Sequence, residues 1–208
     1  LARPPEVPPM SRFVMPAVFV AVGFLAAAPV PKAKKADPFP YAVGTKWEYV
    51  HNGDAKNVWV EEVVECDDND GVITFKVEIT PTRGGKRWEK YRLKAGELHL
   101  IATQIGEYDP PMLIGKVGMK AGDEWETSYG FKNGGGTVDN TLTVGKAEEI
   151  ATPFGKLTAT PVVRTTKGPQ ADAATTFWFS DGYGMVRQTS PGVTEPLQDP
   201  KAFTPGKK

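Results

Sequence analysis

Two histidines, His51 and His99, and one cysteine, Cys66, are the chain's whole supply of imidazoles and thiols. A protein zinc site takes three or four His, Cys or carboxylate ligands, and neither histidine stands in a ligand-spacing motif. The serines of the body, Ser128, Ser180 and Ser190, lie in no G-x-S-x-G elbow and have no histidine beside them in sequence. Glu124 and Glu126 are the one acid pair on a shared strand face. Their i, i+2 spacing of about 6.6 Å falls inside the ~5–10 Å that glycoside hydrolysis needs, but any solvated strand face shows the same pattern. Asp67-Asp68-Asn69-Asp70-Gly71 has the oxygen ligands of a calcium loop without its spacing, and reads as a hairpin turn. Asn133-Gly134-Gly135-Gly136 lacks the Lys-Ser/Thr of a phosphate loop. Cys66 ends an apolar alternating run and reads as a buried, inert thiol. No catalytic residue, metal ligand or cofactor site is expected.

What remains is aromatic. Trp47, Trp59, Trp125 and Trp178 each start or centre an alternating run, and Tyr91 lies within another. Turned inward, they line a core or an apolar cavity; turned outward in a row, they form a platform on which sugar rings stack. These five residues are the candidate ligand contacts. Trp88 shares its face with Lys90, Arg92 and Lys94 and is expected to point outward. Trp178 is expected to be a core anchor on the face opposite Phe177 and Phe179.

The elements that carry these side chains read as strands. In 72–80, VITFKVEIT, Ile73, Phe75, Val77 and Ile79 point one way and Thr74, Lys76, Glu78 and Thr80 the other. In 57–66, Val58, Val60, Val64 and Cys66 share a face that Glu62 breaks. Further runs occupy 47–52, 88–94, 97–105, 123–130, 137–150, 157–165, 175–180 and 184–190, joined by short loops rich in Gly, Pro, Asn and Asp. Residues 107–122 are the least regular. Pro110-Pro111 bars a helix there, so they read as an extended connector with at most a short strand at 112–114. No segment of the body repeats apolar residues at helical spacing. The expected fold is all-β: an antiparallel meander of about ten strands in a strongly curved sheet, half-barrel or barrel-like, because such a sheet must curl to hide its apolar face.

Charge and composition set the remaining limits. The 25 basic and 25 acidic residues of the 208-residue chain cancel, which excludes the basic footprint of a nucleic-acid binder. Residues 13–30 carry no charge, follow Arg12 and precede Lys32, Lys34 and Lys35. That is the pattern of a secretory signal, with an uncleaved anchor as the rival reading and Met10 as a natural start preceded by an upstream extension. The expected organisation is therefore 1–36 as extension plus signal or anchor, 37–190 as the β domain, and 191–208 as a disordered tail with four prolines. Beyond residue 36 the chain holds 20 basic and 24 acidic residues, a mildly acidic domain with no special pull toward anionic lipid.

Three phrases carry a resemblance. They are Tyr41-Ala42-Val43-Gly44-Thr45-Lys46-Trp47-Glu48-Tyr49, Thr152-Pro153-Phe154-Gly155-Lys156-Leu157, and the stretch from Thr176 to Arg187 that contains Phe177-Trp178-Phe179-Ser180-Asp181-Gly182. Their order over roughly 40–190 resembles exported β-rich bacterial domains, similar to the lipoprotein-carrier and lipid-binding half-barrels of the bacterial envelope. The resemblance implies a curved sheet and a periplasmic or extracellular place. It brings no catalytic residue. The function expected is an exported, non-catalytic envelope protein that holds an apolar ligand, a lipid or a protein partner on a concave sheet face, without nucleic acid and without a membrane span once the signal is removed. The alternatives are a carbohydrate-binding module and a purely structural interaction domain.

Overall fold

A computed structural model describes residues 39–167, 174–191 and 196–207. The segment read as a signal lies outside the described residues. Thirteen strands follow one another: β1 Lys46–His51, β2 Asp54–Asn69, β3 Val72–Pro81, β4 Arg87–Lys94, β5 Glu97–Thr103, β6 Gly106–Lys116, β7 Glu124–Gly130, β8 Thr137–Val144, β9 Glu148–Thr152, β10 Gly155–Thr166, β11 Ala174–Ser180, β12 Gly184–Thr189 and β13 Gln198–Thr204. The sheet order is β6-β5-β4-β3-β2-β1-β13-β12-β11-β10-β8-β7, with β9 paired to β10. Every pairing is antiparallel. The two ends of this path meet where Tyr108 bridges Phe131 and Lys132 N–H donates to Glu107 C=O at 2.9 Å. The fold is thus all-β and nearly closed into a barrel, with thirteen strands among the described residues where the sequence reading counts about ten.

The turns follow from their residues. Asn52-Gly53, Asp70-Gly71 and Ala95-Gly96 have both central residues at positive φ, the backbone that matches strand twist in a two-residue hairpin. Ala95 at φ 50° is the position where that geometry is least natural.

Three features depart from the sequence reading. First, the stretch read as a disordered tail contains a strand. Residues 198–204 form β13, inserted between β1 and β12. Pro200 is buried opposite Tyr49, Gln198 is only 5% exposed, and Phe203 packs on Trp47 and Tyr183. The prolines and scarce apolar residues hide a strand whose stability comes from partners on both edges. Second, β6 is a full strand through Pro110-Pro111. Its ladder to β5 breaks between Glu107 and Met112, so the two residues without N–H fall in the unpaired stretch. Third, β2 changes face at a bulge between Val63 and Glu65. Trp59, Glu61 and Val63 point inward, then Cys66 after the extra residue Val64. Val63 is fully buried and Val64 exposed, the reverse of an unbroken alternation.

The barrel interior divides along its axis. At one end Phe39 packs edge-on to Phe179 at 5.8 Å, and Tyr41 packs on Phe75. Below them Val63, Phe75, Val77, Leu93, Leu98, Leu142, Val162 and Phe179 form the main core, each large side chain contributing roughly 1.5–3 kcal/mol by its burial. Outside the barrel the β9–β10 hairpin covers β11 and β12. Ile150, Leu157, Ala159 and Val186 form a second small core there, flanked by Phe154, Trp178 and Tyr183.

Candidate functional site

A cavity of about 330 Å³ occupies the interior at the end away from Phe39. Its lining mixes apolar side chains, Ile79, Leu100, Met112, Ile114, Phe177, Met185 and Leu197, with polar and charged ones, His51, Glu61, Arg87, Glu89, Tyr91, Gln188, Gln198 and Arg164 of β10. A second, mostly apolar void of about 80 Å³ lies nearer Phe39, and Glu61, Tyr91, Ile114 and Met185 wall both.

Strand parity places the charges. In β4 the residues paired to inward Phe75, Val77 and Ile79 are Tyr91, Glu89 and Arg87. In β2 Glu61 pairs with Ile79. Each charge is held differently. Glu61 accepts Gln198 Nε2 at 2.8 Å and Glu89 accepts the Tyr91 hydroxyl. The Arg87 guanidinium carbon sits 4.0 Å from the centre of the Trp59 ring, and His51 stacks on the same ring at 3.9 Å and 12°. Two groups that close cannot share a face, so Trp59 is sandwiched. Arg164 stands 5.0 Å from Phe177, and its Nη1 donates to Met112 Sδ at 3.2 Å.

The low-dielectric setting shifts the titrations. Burial, reinforced by the Glu89 charge and opposed by Gln198 and Arg87, pushes the Glu61 carboxyl up to about 7. Burial raises the Tyr49 and Tyr91 phenols, with nearby carboxylates adding to it. Burial and the Arg87 charge lower His51, and burial lowers Arg164.

The five aromatic candidates separate. Trp59 and Tyr91 line the large cavity. Trp47 lines the small void and donates its Nε1–H to Tyr183 C=O at 2.6 Å. Trp125 lies on β7 under Lys116 Nζ, 5.1 Å from its ring, beside a surface depression. Trp178 is outside the barrel, where its Nε1–H meets Glu148. It does face away from Phe177 and Phe179, but it belongs to the outer core and not to the cavity. Trp88 points outward, with Lys76 Nζ 5.6 Å from its ring. The two histidines do not converge: His51 is in the cavity, and His99 is on the opposite face of β5 from Leu98 and Leu100.

The residues that sequence reasoning missed are the polar ones: His51, Glu61, Arg87, Glu89, Arg164, Gln188 and Gln198. For β4 the signal was present. Extending the Tyr91/Leu93 face back by two and four residues reaches Glu89 and Arg87.

No family model matches the chain, and no curated protein matches it. Among solved structures, the chain is similar in fold to a candidate lipoprotein from Parabacteroides distasonis, with TM-score 0.54 and 16% identity over 82% of this chain and 100% of that one. It is also similar to a candidate exported protein with YmcC-like fold from Bacteroides fragilis, with TM-score 0.50 and 15% identity over 80% of this chain and 98% of that one. At these identities the likeness is one of fold.

Proposed function

We propose that this chain is an exported, non-catalytic binding protein that holds one small amphiphilic molecule inside its barrel. The observation that carries the reading is the interior cavity, whose lining combines apolar side chains with hydrogen-bonding and charged ones. Its 330 Å³ stands at the lower end of ligand cavities, which run ~300–1,000 Å³. It suits a compact molecule better than a two-chain phospholipid. The charge-free segment 13–30 behind Arg12 supports export. So does the fold shared with proteins described as a candidate lipoprotein and a candidate exported protein. An inward tryptophan beside open space favours interior binding over a carbohydrate platform: both faces of Trp59 are covered, by His51 and Arg87, which leaves none for a sugar ring.

The test uses N-phenyl-1-naphthylamine, an uncharged amphiphile that fluoresces on leaving water. Saturable one-to-one binding is expected, and Leu100→Trp, which puts an indole into the cavity, should abolish it. A probe that does not bind, or that binds the variant equally well, would leave a structural interaction domain as the better description.

A further inference from the structure

The cavity's donors and acceptors do not balance. Both of its carboxylates are answered from within the protein, Glu61 by Gln198 and Glu89 by Tyr91. Neither guanidinium is paired with a carboxylate, although the Arg87 charge acts on Glu61 from beyond ion-pair distance. Among the described residues no carboxylate lies within ion-pair distance of Arg87 or Arg164. Arg87 Nε is buried without a hydrogen-bond partner, and the group rests on the Trp59 ring. Arg164 has the Phe177 ring and one thioether sulfur, a weak acceptor. The acidic groups that act on it are the phenols of Tyr129 and Tyr108, not carboxylates. A guanidinium carries five N–H donors in a planar fork that matches a carboxylate. Two such forks facing one cavity, each backed by an aromatic ring, present donors to whatever enters it.

We infer that the bound molecule is a small monocarboxylate with an apolar body. Its head group is taken by Arg164 and Arg87, and its body lies along Leu100, Ile114, Phe177 and Met185. This rests on the interior-binding reading and adds the ligand class. One negative charge fits better than two, because Glu61 and Glu89 stand on the same wall as Arg87 and would repel a dianion.

The experiment compares octanoate with 1-octanol, equal in chain length, as competitors for N-phenyl-1-naphthylamine on the purified protein. Octanoate should displace the probe at a concentration at least tenfold lower than octanol. Arg164→Met should weaken octanoate roughly ten- to a hundredfold, the usual loss when a hydrogen bond to a charged group is removed, and leave octanol unchanged. Arg164→Lys should recover part of the difference. Equal displacement by the two competitors, or displacement by neither, overturns the carboxylate inference while interior binding stands. A probe that never binds overturns the reading beneath it. Should Arg164→Met fail to fold, the two competitors on the unmodified protein decide the matter alone.

Discussion

Glu61→Gln should make this protein more stable at pH 8 and leave it nearly unchanged at pH 4. The carboxyl titrates at about 7 in the fold, against 4.5 for an ordinary glutamate. Between those values the folded chain holds a proton that the unfolded chain has released, so stability falls as pH rises from 4.5 through 7. Above 7 the whole cost of burying the charge is present; below 4.5 it is gone. At ~1.36 kcal/mol per pH step, the gap from 4.5 to about 7 sets a ceiling of roughly 3 kcal/mol at pH 8, of which about 2.5 kcal/mol develops above pH 5. The glutamine keeps the carbonyl that accepts Gln198 Nε2 and removes the charge that Glu89 opposes. The other groups that face this carboxyl are Arg87, Tyr49 and Tyr91. Both phenols are raised and stay neutral through the range.

His51 works in the opposite sense. Its lowered value means that the fold resists protonation, so its contribution is lost as pH falls through the ordinary histidine range. Subtracting the variant's stability from the parent's at each pH removes that term. The assay is a series of thermal melts of both proteins at pH 4, 5, 6, 7 and 8. The difference should open with pH to roughly 5–10 °C at pH 8, since 1 kcal/mol is worth about 2–4 °C in a chain of this size. Two parallel melting curves, or a variant less stable at pH 8, would refute the placement of Glu61 as a desolvated carboxyl beside Glu89.

Other outcomes follow from the same structure. Truncation after Ser190 removes β13 and strips β1 of an edge partner, so urea melts should show loss of the cooperative transition; an unchanged melt would mean the strand is dispensable. Gly206→Ala should destabilise, because its Cβ would fall 2.5 Å from Ala42 C=O and 2.6 Å from Thr45 Oγ1. Trp178→Ala should cost about 2–4 kcal/mol in urea melts as the outer core loses its lid, whereas Trp88→Ala should cost under ~1 kcal/mol. A reporter fused to the full chain should be exported, and one fused to a chain starting at Asp37 should not; equal export would remove 10–30 as the signal.

How much of this was legible depended on which physical signal each residue sent. Ile73, Phe75, Val77 and Ile79 alternate cleanly with polar residues, and their strand and its inward face are as the period predicts. Asp70-Gly71 announces its turn. β2 misled, because a bulge adds a residue without changing composition: Val64 looks as apolar as Val63, and only pairing with β3 shows which is inside. The single run 137–150 is two strands, with Gly145 closed against Pro161 where the chain bends. The tail misled for a third reason. A strand such as QDPKAFT is stable only between two neighbours, and no local pattern reveals a neighbour more than a hundred residues away.

The candidate site was the least legible part because its residues break the rule by which strands are read. Interior faces are recognised as apolar, and Glu61, Arg87, Glu89 and Arg164 are of a type that this rule sends to solvent. Their strand parity assigns them to the interior. That conflict has an energetic meaning. A barrel filled by Leu and Phe at these positions would be the more stable one, since buried charges seldom recover their desolvation cost. Here the conflict is confined to one end. The main core cluster is apolar, and the four charged residues Glu61, Arg87, Glu89 and Arg164 all border the same 330 Å³ of open space. Violations scattered over the barrel would indicate a loosely built core. Charged residues that converge on a cavity, with two guanidiniums lacking carboxylate partners, are what the proposed ligand site requires.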